Sequence, residues 1–590
     1  MERSPIKREL LRNALEGIAD NMMVTVIRTS RSMVVKSNLD FSAGICDGAG
    51  VMVAQGLALP PHLGAMMPAL AGCLDEFGDD IHPGDILANN DPYSGASHLN
   101  DVFMYLPVFT PGGERIAFVG LILHHTDMGG RVPGGNATDS SEIFQEGLRI
   151  APTKIHERGE PNRTLFRIIE SNVRVPGLVI GDMRAQIAAL QVAEREFQAL
   201  FERYDANEVK AYMADLVDHS ERLTRASVAA LPDGEVEFSD WMDGDGVGDD
   251  PVEFHAKLTV RGDEMTVDFT GTSPQTTGAL NPNFWFTASC TYAAVRTVLD
   301  ADIPNNAGFT RPITVIAPEG CFLNPVFPAP LGARGQSGYR VRSVVLGALA
   351  KLLPGRMPAC PGGSEFAVVF AGYEADRSPF LFLEFHNITG LGGAPDRDGQ
   401  DAGPYWLGNI ANVSVELIEA ESPLLIEEYG FLPDTGGAGR FRGALGIVRQ
   451  YRLLAEKATL QLRSDRQFFP PWGLEGGGSG SPGRCLLNPA SNDPEVLPSK
   501  FIRTLKRGDV LRGEMPGSGG YGDPFTRDAE AVHDDVRQGK FSVRHAREAY
   551  GVAVDARTLK LEARATAALR AKGRNAGPRD TRSQMAKRTR

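Results

Sequence analysis

The sequence predicts a multidomain chain of mixed α/β (α+β) class: an N-terminal α/β domain, a β-rich region, then a short helical C-terminus. Three observations carry that reading. The chain has 590 residues, more than one hydrophobic core supports, so roughly two to four domains are expected. Strand-like and helix-like apolar periods alternate before residue 230, and short apolar runs between Gly/Pro-rich turns dominate after residue 365. Gly (66) and Pro (39) together exceed ordinary usage, as a fold rich in turns and extended segments requires. The boundaries read from these shifts are 1–225, 226–560 (one or two domains) and a tail at 561–590.

The elements follow in order. The first thirty residues have the spacing of an amphipathic helix. "SMVVKSNLDFSAGICDGAGVMVAQG" (32–56) alternates apolar and polar residues around an Asp-Gly turn, a hairpin pattern. "GAMMPALAGCLDEFG" (64–78) reads as a helix. "GDILANNDPYSGASHLNDVFMYLPVF" (84–109) reads as strand, polar loop and strand. "RIAFVGLILHHTDMGG" (115–130) is a third strand, its inner half nearly all apolar, as burial on both faces demands. Residues 180–230 are helical. "AKLTVRGDEMTVDFTGTSPQT" (256–276) is a hairpin turning at Arg261-Gly262-Asp263, and helices are expected in 283–302 and 340–355. Strands are expected at "EFAVVFAG", "FLFLEFHN" and "IVRQYRLLAEKATLQLRS". From about 561 the chain turns helical and then basic, the pattern of a disordered tail.

Composition excludes several functions. A net charge of −13 is unsuited to a nucleic-acid partner. No apolar run reaches the ~18 residues of a membrane span, and the charged N-terminus carries no secretory h-region. The six cysteines (46, 73, 290, 321, 360, 485) form no Cys-x-x-Cys pair, which suits a reducing compartment. A cytoplasmic protein with no membrane association is expected.

Two His-x-x-Asp groups carry the candidate chemistry: His98/Asp101 in "SHLND" and His124/Asp127 in "LILHHTDMGG". Imidazole with carboxylate suits Zn²⁺, Mn²⁺ or Fe²⁺. Residues three apart on an extended strand face opposite ways, so each pair serves one ion only if a bend intervenes. Asp40, at a strand start, adds a carboxylate. The competing reading is polar residues hydrogen-bonding loop backbone where strands end, and His125 is read that way. His62, His82, His156, His219, His255 and His386 have no comparable company and are taken as surface or core residues. Asn90–Tyr93 reads either as an Asx turn or as a loop orienting His98. Glu146 with Arg149 reads either as a general base beside an anion-binding arginine or as a surface helix end. Arg334 and Arg340 in "LGARGQSGYRVRS", with Arg440 and Arg442 in "DTGGAGRFRGALG", could grip a carboxylate or phosphate, or simply be solvated turn residues.

Other motifs fail. "GSGGYG" (517–522) has the Gly-x-Gly-x-x-Gly spacing, but a Glu-Met-Pro turn precedes it and Asp-Pro, not a helix, follows. "DGDGVGDD" (243–250) lacks the later ligands of a calcium loop. No Walker A sequence or Gly-x-Ser-x-Gly elbow occurs.

Taken together, "NDPYSGASHLNDVFMYLPVF", "HHTDMGG", "EIFQEGLRIAPTKI", "DMRAQIAAL", "IPNNAGFTRPITVIAPEGCFLNP", "DTGGAGRFRGALGIVRQYR" and "GSGGYGDPFTRDAEAVHDDVRQGKFSVRHAREAYGV" resemble the hydantoinase B/oxoprolinase family across about residues 5–555. The resemblance implies a B-type subunit of an ATP-dependent cyclic-amide hydrolase acting on a hydantoin, lactam or 5-oxoproline. It also implies a separate A-type subunit that binds ATP, which fits the missing nucleotide motif. Carried over by position, the metal ligands would be Asp40, His98, Asp101, His124 and Asp127, holding Mn, Zn or Fe. Asp127 or Glu146 would serve as catalytic base, with Arg149, Arg334, Arg340, Arg440 and Arg442 holding substrate or phosphate. A ketone carboxylase of the acetone/acetophenone type, sometimes with a small third subunit, is the alternative. A non-catalytic scaffold of such a complex is the second. "SGYRVRS" and "ASHLND" depart from the commonest hydantoinase wording, so the substrate stays open.

Overall fold

Strand Arg115–His124 is an interior strand of a seven-stranded sheet that organises the N-terminal part of the chain. The computed structural model describes residues 4–56, 60–363, 366–386, 389–403 and 411–574. The sheet runs Met52–Gln55, Phe41–Asp47, Arg115–His124, Asp101–Phe109, Ile86–Asn89, Thr153–Glu157, Glu160–Pro161, with neighbours antiparallel. Its central strands are covered on both sides. Val119, Leu121 and Leu123 face one core, with Met104 and Leu106 beside them. Phe118 and Ile122, with Phe103 and Tyr105, face the other. This is why the sequence there reads as continuously apolar: period-2 alternation disappears when both faces are buried. Each such side chain contributes on the order of 1.5–3 kcal/mol on burial.

Helices Pro5–Thr29 and Pro176–Gln198 cover the first face, burying Leu11, Leu15, Ile18, Met22 and Val26 at helical spacing. Gln186 crosses to the sheet, its Nε2 donating to Val102 O and Leu121 O at 2.9 Å each. Helix Pro60–Phe77 covers the second face with Met66, Ala69, Leu70 and Cys73.

A second core gathers the sheet Ile313–Ile316, Glu264–Asp268, Val252–Arg261, Gly234–Met242 under helices Phe284–Val295 and Gly335–Leu352. The hairpin expected at residues 261–263 is present, with Glu264 opposite Arg261 and Gly262 at φ +59°.

A third core lies between two antiparallel sheets. One is Pro379–His386, Phe366–Tyr373, Lys457–Arg463, Lys500–Lys506. The other is Leu424–Leu432, Gly446–Leu453, Val510–Glu514, Arg484–Leu487, Glu495–Leu497. The C-terminus is helical earlier than residue 561, with Ala529–Arg537 and Val543–Tyr550 preceding Ala563–Arg574. The expected basic tail lies largely outside the described residues, which end at 574.

The glycine-rich stretches are neither solvated turns nor anion loops. Segments around 436–443, 472–481 and 517–522 lie side by side and bond mainly through backbone: Gly437 N to Ser518 O, Ser481 N to Thr435 O and Gly520 N to Gly478 O. A Cβ at Gly517 would meet Thr435 O at 1.9 Å, and one at Gly480 would meet Gly517 O at 2.0 Å. Only glycine permits that approach, which accounts for "GSGGYG" without a nucleotide. The six cysteines are free and buried. No described helix is long and apolar enough to cross a membrane.

Candidate metal centre

Three neighbouring strands of the first sheet end in one row. Asp101 is the first residue of its strand and pairs with His124, the last of the next. His124 N donates to Asp40 O at 3.1 Å, so Asp40 stands just before the third strand beside it. Leu39, at φ +63°, makes the bend that delivers Asp40. A turn closed by Asp101 N to His98 O (3.0 Å) supplies the bend that His98/Asp101 needed to face one point.

Ligand atoms of His98, Asp101 and His124 all lie within 4.8 Å of one another, and the three residues are buried. His62, in the first turn of helix Pro60–Phe77, completes the group. Its Nε2 is 3.5 Å from Asp40 Oδ1 and 3.6 Å from Asp101 Oδ2, and its Nδ1 meets Ser42 Oγ at 3.1 Å. Sequence reasoning set His62 aside, because nothing in "PPHLG" signals that a helix from outside the strand pattern points at the strand ends.

The chemistry of this set suits a divalent ion. His98 Nε2, His124 Nδ1 and Asp101 Oδ1 are buried without a well-formed hydrogen bond, His98 Nε2 and Asp101 Oδ1 standing 3.3 Å apart, a costly arrangement unless something binds them. His98 Nδ1 faces Gly332 O at 3.3 Å; a carbonyl only accepts, so Nδ1 carries the proton and Nε2 presents its lone pair. Burial pushes His62 and His98 down to about 4, with Arg334 adding to the effect, so both are neutral near pH 7, the form that ligates. His124 is lowered too, by burial and then by His98. Burial opposes ionisation of Asp101, yet His98, His62 and Arg334 together hold its carboxyl well below the usual range. Three imidazoles and two carboxylates fall in the Mn/Fe/Zn range.

The other candidates separate. Asp127 is not brought to the cluster: Oδ1 accepts from Gly134 N (2.9 Å) and Arg174 Nη1 (3.0 Å), and Oδ2 from Arg174 N (2.6 Å). Asp127 instead ties its loop to residue 174. His125 is buried facing Asp182 and Gln186. Glu146 Oε1 accepts from Leu331 N (2.8 Å) and Gly332 N (2.6 Å), while Oε2 is buried without a partner. Burial raises Glu146 to about 8. Asn90 braces the loop before the cluster, its Nδ2 donating to Leu99 O at 2.7 Å, so Asx turn and orienting loop coexist in 90–93.

Of the five arginines, Arg334 alone reaches the cluster, and it does so paired: Nη2 is 2.6 Å from Asp101 Oδ2. Arg340 is committed to Asp240 and Asp465, and Arg442 to Asp401, in buried pairs that hold regions of the fold together. Arg440 is exposed over the Phe441 ring. Arg149 lies against Phe144 and Phe327 with Asp91 at 3.7 Å. A residue not anticipated, Arg463, lies over Phe385, whose ring meets His124 edge-on at 5.4 Å.

A large cavity, about 1560 Å³, is lined by Met67, Ala71, Tyr93, Trp285, Tyr292 and Arg342 among others. Met67 and Ala71 project from the side of helix Pro60–Phe77 opposite His62. Size favours the cavity as the reacting centre, whereas unpartnered buried donors favour the cluster; chemistry needs the donors, so the cluster is the stronger candidate.

Comparison with known proteins agrees with this architecture. The family model described as Hydantoinase B/oxoprolinase matches residues 4–524. The B subunit of a putative D-/L-hydantoinase from Pseudomonas sp. is 31% identical, over 93% of this chain and 95% of that protein. The crystal structure of ATP-dependent caprolactamase from Pseudomonas jessenii superposes with TM-score 0.89 at 30% identity, over 97% of this chain and 100% of that one. The nucleotide-free structure of acetone carboxylase superposes equally well, TM-score 0.89, over 97% of this chain and 83% of that one. Its 21% identity makes that a likeness of fold alone. With matches running over nearly its whole length, the chain belongs to the hydantoinase B/oxoprolinase family.

Proposed function

We propose that this chain is the metal-bearing B-type subunit of an ATP-dependent cyclic-amide hydrolase, working with a separate ATP-binding A-type subunit. The observation that carries the reading is the convergence of Asp40, His62, His98, Asp101 and His124, three of them with buried ligand atoms that make no well-formed hydrogen bond. Support for the substrate class comes from relatives named hydantoinase and caprolactamase. Support for a partner comes from the hydantoinase relative, which is itself named as one subunit of its enzyme.

Asp40, His62, His98, Asp101 and His124 would hold the ion. Bound there, a divalent metal supplies Lewis-acid polarisation of an oxygen and makes water more acidic. The protein's own groups do the rest. Gly332 O sets the tautomer of His98, and Arg334 fixes Asp101 and offsets its charge. Glu146 keeps a proton near neutrality; with Oε1 accepting two N–H bonds, that proton belongs on Oε2. From there it can be donated to a leaving nitrogen and recovered.

The test is ATP turnover by the chain co-purified with its A-type partner. Stimulation by hydantoins, lactams or 5-oxoproline, lost in His98→Ala, is the expected result. Stimulation by a ketone with bicarbonate, and not by cyclic amides, would replace hydrolysis with carboxylation. Full activity in His98→Ala would reduce the chain to a scaffold.

A further inference from the structure

Asn100 stands between His98 and Asp101 in sequence and is bonded across the sheet to His125, the neighbour of His124. Asp101 pairs with His124 where their two strands end. One residue further out, a regular antiparallel pair of residues 100 and 125 would exchange two backbone hydrogen bonds. His125 N makes the first, donating to Asn100 O at 2.8 Å. At His125 O the donor is a side chain instead, Asn100 Nδ2, also at 2.8 Å. The replacement has a local cause. The turn closed by Asp101 N to His98 O swings the main chain of 98–101 off the strand direction, and this brings His98 Nε2 to 3.3 Å from Asp101 Oδ1. A main chain that has turned away cannot go on pairing, and the amide of Asn100 pairs in its place.

The same Nδ2 donates to Gly134 O at 3.0 Å, in the loop that leads to Glu146. Gly135 (φ +68°) has no room for a side chain: a Cβ there would lie 2.8 Å from Asn100 Oδ1 and 2.9 Å from Glu146 O. Asn100, 1% exposed, therefore ties together the turn that carries His98 and Asp101, the end of the His124 strand and the start of the Glu146 loop.

We propose that Asn100 is the positioning residue of the metal centre: its side-chain amide clips the His98–Asp101 turn to the end of the His124 strand and so sets the separation of the two imidazoles. The inference rests on the metal-centre reading and deepens it. Ligation is not its role, because Nδ2 spends its donors on two main-chain carbonyls; it acts through where it holds His98 and His124, whose ring centroids lie 5.0 Å apart. Aspartate has the same shape but, when ionised, no donor, so it would face both carbonyl oxygens with a further acceptor and loosen the clip.

The experiment is calorimetric titration of the purified chain with manganese, with urea unfolding and the electron paramagnetic resonance of bound manganese recorded on the same proteins. Wild type is compared with Asn100→Asp, Asn100→Ser and Asn136→Ala. Asn136 Nδ2 bonds the same Gly134 O at 2.8 Å from within the loop itself, so N136A disturbs the loop while the clip stays in place. The expected result in N100D is manganese binding weaker by about tenfold or more, the scale of other groups that support a metal site, with weaker coupling of imidazole nitrogen to the ion. N100S, which keeps one donor, falls between N100D and wild type. N136A loses stability and keeps its manganese affinity within about threefold, below the loss expected of a group that supports the ligands. Equal manganese affinity in wild type and N100D overturns the proposal, and so does an equal loss in N136A and N100D, which would make Asn100 a structural residue only. If N100D does not fold, N100S decides by the same comparison with N136A. Failure of the underlying reading looks different: wild type itself takes up no manganese, and the proposal falls with it.

Discussion

Arg334 Nη2 lies 2.6 Å from Asp101 Oδ2, in a buried pair that joins the end of the first sheet to the start of helix Gly335–Leu352. The pair spans 233 residues of sequence and couples the candidate metal cluster to the second core. Arg334→Met would leave the Asp101 carboxylate buried without its cation. Removing one partner of a buried pair costs about 3–5 kcal/mol. The expected outcome in urea unfolding is a loss of that order in the metal-free chain, partly restored by manganese. No loss, or a loss that manganese leaves untouched, would show that the pair does not serve the cluster.

His62 and Asp127 exchange the roles their sequence contexts suggest. His62→Ala should weaken manganese binding at least about tenfold, on the scale seen when groups supporting a metal site are removed. Asp127→Ala should keep manganese affinity within about threefold. Its cost is stability instead, roughly 1–3 kcal/mol, because Gly134 N and Arg174 lose their acceptor. Titration of the two variants with manganese separates them; the reverse ranking would remove His62 from the ligand set.

Glu146 makes stability depend on pH. Its folded-state value, about 8, is raised above the ordinary 4.5. The stabilisation from this group is therefore complete below pH 4.5 and is lost as pH rises through 8, by an amount on the order of a few kcal/mol. Glu146→Gln keeps an acceptor for Leu331 N and Gly332 N but cannot ionise. Unfolding free energies at about pH 5 and about pH 9 should differ less in E146Q than in wild type, with the gain at the higher pH. Equal differences in the two proteins would contradict the assignment.

Gly517 tests the backbone-packed glycine segments. A Cβ there would meet backbone at 1.9 Å with no flexible side chain to yield. Gly517→Ala should cost about 3 kcal/mol or more, since overpacking against a main chain cannot be relieved by a rotamer change. A melting temperature within a degree of wild type would show that the three segments separate easily.

Much of the fold was legible because it follows local rules. Continuous apolar residues in 116–123 announced a strand buried on both faces, and the Arg261–Asp263 turn announced its hairpin. The helix over Pro5–Thr29 followed from the spacing of Leu11, Leu15, Ile18, Met22 and Val26. The glycine segments were misread as loops because close packing of main chain against main chain leaves no period in the residues themselves. Arg340 and Arg442 were misjudged for a related reason: a sequence shows an arginine but not the aspartate, 125 or 41 residues away, that neutralises it.

For the site, sequence determined the strand-end chemistry: His98, Asp101, His124 and Asp40 stand where strands begin or end, and the resemblance gave that pattern a metal. Tertiary structure alone decided the membership. Register set Asp40, His124 and Asp101 in one row, a left-handed Leu39 aimed the first of them, and a helix packed on the opposite face brought in His62. It sent Asp127 to Arg174, and brought Arg334 in from the second core. Metal coordination requires atoms to converge within a few ångströms, and convergence is a property of how distant segments pack, which spacing along one strand cannot encode.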